Sequence, residues 1–348
     1  MGGEMGRRDD FLDLLKGIGI LLVYLGHTCW YGSLAFRVIF FVHMPLFFLV
    51  AGMVFDPTRH GLFRAVAKKV AVGLIVPYFF FAALAFVMKA DLRIPLLLSH
   101  LPTQLYGLFV RGDCILALWF LVCLAVVRLA YYLVFRLGVE RSPFARIGLL
   151  CAALGFAELS TAYVYPYRKA VPLMLPSVPA ALFFFAVGRW ISPRFGVWRQ
   201  VFGRWCVGWP VLVVGCGVCV VSSALLPIYG FDLRQGVFST VGLLPCFAGL
   251  AAVVALAALI ERGGWTSPLL YLGRCSLVFF AMEQNVSHLF TVGVGFLGFK
   301  APEAFCTVDG PVEMKLARFV VCLCTVALLT PVVSRMLRGL QKRLTVGD

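Results

Sequence analysis

The sequence predicts an all-α integral membrane protein, a bundle of about ten transmembrane helices with both termini in the cytoplasm. Hydrophobic residues make up 61% of the 348 residues and charged residues only 14%, whereas soluble domains carry roughly 45–50% apolar and about 25% charged residues. The apolar residues are also gathered in stretches of about 20, the length that crosses a bilayer. This composition excludes the soluble, disordered and fibrous classes, and it predicts a single polytopic domain over residues 1–348.

Ten stretches are long and apolar enough to span a membrane, and short polar segments separate them. They cover roughly residues 11–30, 34–55, 70–89, 115–136, 144–160, 172–192, 205–226, 237–260, 268–298 and 315–337. The ninth stretch is longer than one span needs, so we expect a broken or re-entrant segment there.

The positions of Lys and Arg predict the orientation of the bundle. With the N-terminus in the cytoplasm, the inner segments carry about twice as many Lys and Arg as the outer segments. An even number of spans then returns the C-terminus to the cytoplasm. The net charge of +15 is thereby explained as a topology signal, so nucleic acid is not an expected partner.

The 12 cysteines lie mostly inside apolar runs, which is typical of small buried hydrophobic residues. Cys216 and Cys219 form a C-x-x-C pair, but a zinc or redox site needs accessible surroundings and further ligands, which the flanking VVG and VV do not supply. We therefore expect no metal site.

The first stretch, FLDLLKGIGILLVYLGHTCW, contains Asp13, Lys16 and His27. Charged groups inside a span are functional hypotheses by default, because they are expensive to bury. At about 100° per residue, Lys16 and His27 differ by only ~20° around the helix and Asp13 lies ~40° from His27, so all three share one stripe. His27 lies roughly 16 Å deeper than Lys16. Two simpler interpretations stay open: Asp13 and Lys16 neutralise each other at the interface, and His27 is a satisfied core histidine.

Further polar side chains interrupt the later stretches. His43 precedes Pro45, and it either lines a polar cavity or bonds the carbonyl that proline frees. Glu283 begins a polar run, 283–285, which either lines a cavity or bonds between helices. Arg128 and Glu158 carry opposite charges and could pair with each other.

Several segments together resemble acyltransferase family 3, bacterial integral membrane acyltransferases that modify cell-surface sugars. The opening RDDFLDLLKGIGILLVYLGH is similar to the family's basic residue and histidine with ten residues between them, here Lys16 and His27. HMPLFFLVAG follows, then ALWFLVCL at 117–124 and LGRCSLVFF at 272–280, each similar to a family segment. Two positions depart from the family pattern: Ala51 stands in place of a serine, and Glu283 stands where relatives often have histidine.

The resemblance implies a multi-pass O-acyltransferase of the bacterial inner membrane, similar to the short fucose-acetylase-like members. The implied donor is acyl-CoA, with acetyl-CoA expected, which arrives from the cytoplasm as a substrate rather than as a permanently bound cofactor. The implied acceptor is a hydroxyl of a lipid-linked or cell-surface glycan. The alternative is a transporter or flippase of lipid-linked glycans, which would also have many spans and a central cavity. The stripe of Asp13, Lys16 and His27 followed by HMPLFF favours the enzyme, because transport alone does not require it.

His27 is the expected base or nucleophile, since an imidazole can act as either near neutral pH. Lys16 and Asp13 complete the expected catalytic set, while the sequence does not reveal which acidic residue would orient His27. The expected substrate contacts are His43, Trp119, Glu283, Arg64, Lys68 and Lys69. The last three would hold the donor phosphates, although the positive-inside rule alone also predicts a basic segment there.

Overall fold

A computed structural model describes residues 9–29, 33–59, 61–89, 102, 106, 118–163, 172–226, 232–233, 237–296 and 312–345. These residues are almost entirely helical, apart from turns and an isolated bridge between Asp232 and Val237. The α-helices are α1 (Asp10–Thr28), α2 (Leu34–Val54), α3 (Phe63–Val70), α4 (Val76–Lys89), α5 (Trp119–Arg136), α6 (Pro143–Tyr163), α7 (Val178–Ile191), α8 (Phe195–Phe202), α9 (Trp205–Leu225), α10 (Leu243–Gly263), α11 (Ser267–Arg274), α12 (Ser276–Phe296) and α13 (Val312–Thr345).

Nine stretches of the described chain are long and apolar enough to cross a membrane, which confirms the predicted all-α membrane bundle. They are α1, α2, α5, α6, α9, a continuous stretch from α3 into α4, the two stretches that contain α7 and α10, and Lys315–Thr345 within α13. Exposed Leu, Val, Phe and Trp side chains cover much of their outer surface, as expected where lipid rather than water surrounds a bundle. The cytoplasmic location of the two termini stays a prediction.

The predicted stretch at 268–298 is divided in the structure into α11 and α12, with Cys275 between them. The Cys275 amide bonds to the carbonyl of Tyr271 at 3.1 Å, and its own carbonyl accepts the amide of Val278 at 2.9 Å. The helix therefore stops and restarts within one turn. α12 is not among the nine apolar stretches, because the polar run 283–285 interrupts it.

α1 and α2 hold the centre of the bundle. α1 packs against α2, α10, α11, α12 and α13, while α2 packs against α1, α7, α9 and α10. α1 approaches α11 closely at two glycines: a Cβ on Gly17 would overlap the carbonyl oxygen of Leu269, and a Cβ on Gly273 would overlap that of Asp13. Small residues allow such backbone contact between membrane helices. This contact anchors the segment that leads into α12 against the first half of α1.

The orientation can be tested with reporter fusions along the chain. A reporter that works only in the cytoplasm should be active when it is fused at residue 60 or after residue 345. We expect this because the basic residues of the chain concentrate on the predicted cytoplasmic side. A reporter in the segment between α1 and α2 should behave as an external one. A C-terminal fusion that reports from outside would contradict the predicted orientation and would require an odd number of spans.

Candidate functional site

α1 and α12 bring His27 and Glu283 together inside the bundle. His27 Nδ1 lies 2.6 Å from Glu283 Oε2, although 256 positions separate the two residues in sequence. The Glu283 side chain is 4% exposed and that of His27 is 24% exposed. One turn nearer the start of each helix, the Tyr24 hydroxyl donates a hydrogen bond to the Phe279 carbonyl at 3.1 Å. Two bonds therefore fix the register of α12 against α1 at this level.

The contact assigns chemical roles to the two ring nitrogens of His27. A carboxylate accepts hydrogen bonds only, so an ionised Glu283 places the ring proton on Nδ1. Nε2 then carries the lone pair and is free to accept a proton from another group. A carboxylate behind Nδ1 also stabilises the imidazolium that forms when Nε2 is protonated. Glu283 is thus the acidic partner that the sequence did not reveal.

At the other end of the stripe on α1, Lys16 donates to Asp13 at 2.7 Å. The Asp13 side chain is 1% exposed, and Arg274 Nε lies 3.9 Å from its second oxygen. Arg274 also contacts Asp10 at 2.7 Å. A buried carboxylate needs such partners, so Asp13 positions Lys16 and joins α1 to the end of α11. It lies far from His27 along the helix, and its predicted catalytic role stays a prediction.

A cavity of about 200 Å³ lies between α1, α2, α5, α12 and the π-helical segment Ala71–Ile75 that precedes α4. Lys16, Ala51, Leu74, Arg128 and Ser276 line it. π-helical turns are frequent at functional sites. The lining combines two cationic side chains with an otherwise mostly apolar wall.

Three phenylalanines of this wall, Phe47, Phe120 and Phe280, contact one another. Their ring centroids are 5.8 Å apart for Phe47 and Phe120, 6.2 Å for Phe47 and Phe280, and 5.3 Å for Phe120 and Phe280. The Phe47 ring lies against Gly19, one turn along α1 from Lys16 toward His27, and Phe280 lies one turn before Glu283. We call these three residues the phenylalanine cluster. It lies at a depth between the cavity and the His27–Glu283 pair.

His43 lies on the buried side of α2 and is 4% exposed. Its Nδ1 lies 2.9 Å from the carbonyl oxygen of Ile39, within hydrogen-bond distance. The centroid of its ring lies 4.7 Å from the ring centroid of Phe40. Pro45 frees the carbonyl of Phe41, because a helical amide bonds four residues back. One interpretation of the sequence expected His43 to bond the carbonyl that Pro45 frees. His43 does bond a backbone carbonyl, but it is that of Ile39 and not that of Phe41. His43 does not line the cavity.

The other predicted substrate contacts lie outside the lining of the cavity. Trp119 is 4% exposed, and its ring packs against the rings of Phe48 and Phe120 with a centroid distance of 6.4 Å in each case. Arg64, Lys68 and Lys69 are exposed on α3, which leads into the π-helical segment. Their contact with donor phosphates stays a prediction.

Arg128 lines the cavity, although it is not among the binding residues predicted from the sequence. Its Nε is buried and has no hydrogen-bond partner among the described residues. Glu158, the suggested partner, instead accepts the amide of Thr240 at 2.5 Å. The suggested Arg128–Glu158 pair is therefore wrong. The informative signal in the sequence was a lone arginine inside an apolar stretch.

Comparison with known proteins gives one family. A family model described as an acyltransferase domain matches residues 9–336. Nodulation protein NolL of Sinorhizobium fredii (strain NBRC 101917 / NGR234) is 37% identical over 89 residues, which cover 22% of this chain and 24% of NolL. The chain thus matches about a quarter of the length of this curated relative. Comparison with solved structures gave no match to the chain.

The His27–Glu283 contact can be measured by a double-mutant cycle on thermal stability in detergent. Replacing His27 and Glu283 with glutamine, singly and together, should give a coupling energy of about 0.5–3 kcal/mol, the range for residues in direct contact. His288 is exposed on the same helix, so His288→Gln should be additive with Glu283→Gln within about 0.5 kcal/mol. Additivity of the His27 and Glu283 variants would show that the pair does not form.

Proposed function

The chain belongs to acyltransferase family 3, and we propose that it transfers an acetyl group from cytoplasmic acetyl-CoA to a hydroxyl of a lipid-linked or cell-surface glycan. The family match makes the protein a membrane acyltransferase. The observation that carries the proposed chemistry is the His27–Glu283 contact of 2.6 Å. It supports an imidazole with a free Nε2 lone pair inside the membrane domain.

In the proposed reaction His27 is the general base. Its Nε2 takes the proton of the acceptor hydroxyl while that oxygen attacks the thioester carbonyl carbon. The tetrahedral intermediate collapses as the carbon–sulfur bond breaks, which leaves the acetyl ester on the acceptor. The departing thiolate takes the proton back from His27, so the enzyme ends in its starting state. Glu283 stabilises the imidazolium between the two proton transfers.

The cavity supports a donor that enters from the side of Lys16. Acyl-CoA is long and carries its phosphates far from its thioester, and Lys16 and His27 are also separated, by roughly 16 Å along α1. A donor with its anionic part near Lys16 would direct its thioester toward His27. The phenylalanine cluster lies on this path, so we propose that Phe47, Phe120 and Phe280 move apart when the donor binds. Such opening would keep water from the thioester until the donor is seated.

The acceptor and the location of the protein follow from the family resemblance. It supports a glycan hydroxyl as acceptor and the bacterial inner membrane as location, with the acceptor approaching from the side opposite the donor. A flippase of lipid-linked glycans would need a wide passage but no imidazole bound to a buried carboxylate. The family match and the His27–Glu283 pair together support transfer over transport.

The proposed function can be tested in cells that lack the gene and express a variant of it. Mass spectrometry of their surface glycans should show acetyl groups with the wild-type protein and with His288→Gln, and almost none with His27→Gln. Loss of a general base typically lowers the rate by about 10²–10⁴-fold. His288 serves as the control because it is exposed and lies more than one helical turn beyond Glu283 on α12. Equal membrane levels of the three proteins must be confirmed. Unchanged acetylation with His27→Gln would overturn the role of His27, and unchanged acetylation without the gene would overturn the proposed acceptor.

Glu283 variants separate orientation of the imidazole from simple packing. In proteoliposomes we expect Glu283→Gln to lower kcat by about 10–100-fold, because the amide oxygen can still accept a hydrogen bond from Nδ1–H but carries no negative charge to stabilise the imidazolium. Glu283→Leu should lower kcat further, since no acceptor remains. The KM for the acyl donor should change little in both variants, because Glu283 does not line the cavity. Wild-type turnover of Glu283→Leu would remove Glu283 from the mechanism.

A further inference from the structure

The cavity contains a cationic group whose charge the described protein does not balance. Lys16 is bonded to Asp13 at 2.7 Å. Arg128, by contrast, has no ion pair with any described residue, and no Asp or Glu is among the residues that line the cavity. Its Nε is both buried and without a hydrogen-bond partner in the described chain. The cavity thus carries an uncompensated positive charge.

Such a charge is unfavourable in the empty protein. A buried polar group without a partner destabilises the folded state, and a charged one within a membrane span does so more strongly. Arg128 lies about 12 Å from Arg136, the last residue of α5, so its guanidinium is held within the wall of the cavity rather than at the helix end. Charged residues inside spans that face cavities commonly mark substrate sites. The missing partner is therefore expected to be an anionic ligand.

The break between α11 and α12 adds a second favourable group for an anion. The first turn of α12 reaches the cavity, where Ser276 and Leu277 form part of the lining. The amides of Val278 and Phe279 bond to the Cys275 carbonyl, whereas those of Ser276 and Leu277, the first two of α12, have no partner within the helix. The helix dipole gives this end a partial positive charge. Interrupted membrane helices bind anionic substrate groups in this way. Arg128 and the start of α12 thus contribute positive potential to the same cavity.

We propose that Arg128, with Lys16 and the first turn of α12, binds a phosphate ester of an elongated ligand inside this cavity. The identification of that ligand as the acyl donor rests on the proposed function. The volume of about 200 Å³ is below the ~300–1,000 Å³ of typical ligand pockets, so the cavity accommodates a phosphate and the adjoining arm, and the rest of the molecule stays outside. The exposed residues Arg64, Lys68 and Lys69 then attract the donor rather than hold it. A soluble CoA thioester and an anionic phospholipid both supply this chemistry.

The test measures binding of coenzyme A itself, which carries no acyl group, to the purified protein in detergent. Arg128→Gln should weaken this binding by about tenfold or more, the loss expected for one charge-assisted hydrogen bond, and Arg128→Lys should recover part of it. Arg136→Gln, an exposed arginine on the same helix, should bind as the wild type does. The double variant Lys68→Gln/Lys69→Gln should lose less affinity than Arg128→Gln at physiological salt, because exposed charges are screened.

Thermal stability separates a ligand site from a structural role. Arg128→Leu removes an unpaired buried charge, so it should melt at the same or a higher temperature than the wild type without ligand, and coenzyme A should stabilise it less. If Arg128→Leu melts lower than the wild type, and coenzyme A still stabilises it as much as it stabilises the wild type, Arg128 is a structural residue and the site is overturned. Wild-type affinity in Arg128→Gln would overturn it as well.

Nanodiscs with and without phosphatidylglycerol identify the source of the phosphate. Displacement of coenzyme A by this lipid, dependent on Arg128, would assign the site to a phospholipid headgroup. No effect of the lipid, with Arg128-dependent binding of coenzyme A, would assign it to the donor. Acetyl transfer is measured separately on the same proteins: binding without transfer would count against the proposed function alone, and transfer without Arg128-dependent binding would count against this site alone.

Discussion

The hydrogen bond between His27 and Glu283 is the interaction on which the site depends. Each side chain is polar and lies within an apolar bundle, where neither can stay unpaired without destabilising the fold. Their contact satisfies both and sets the register of α12 against α1, with the Tyr24–Phe279 bond as a second point of attachment. The break at Cys275 allows this arrangement, because α11 packs backbone to backbone on α1 while α12 starts again along its own axis. The stability of the pair and the chemistry of His27 thus come from the same contact.

α1 also separates the two parts of the proposed reaction. Lys16 belongs to the cavity and His27 belongs to the pair with Glu283, and the helix holds them roughly 16 Å apart. Phe47, Phe120 and Phe280 lie at the depth between them. Binding of the donor phosphates and attack on the thioester then occur at different depths, and a movement of aromatic rings would connect them. In this account, cationic groups affect donor affinity, and the His27–Glu283 pair affects turnover.

The fold could be predicted to a large extent from apolar stretches, since a helix that crosses a bilayer is specified by its own length and hydropathy. The shared stripe of Asp13, Lys16 and His27 could be predicted for the same reason: it depends only on the 3.6-residue period of one helix. Glu283 could be singled out as polar within a span, but its contact with His27 joins helices 256 positions apart, and no local pattern encodes that. The proposed role of Arg128 was missed because it depends on the absence of a partner, which only the arrangement of α1, α2, α5 and α12 around the cavity reveals.

The central claim, that Glu283 holds the proton of His27 on Nδ1 and leaves Nε2 as the base, can be measured directly by nitrogen NMR of histidine-labelled protein in lipid. The protein has 5 histidines, and the His27→Gln variant identifies the signals of residue 27. We expect neutral His27 to be protonated on Nδ1 in the wild type, and Glu283→Leu to abolish this preference. A wild-type His27 protonated on Nε2, or a preference that is unchanged in Glu283→Leu, would contradict this claim.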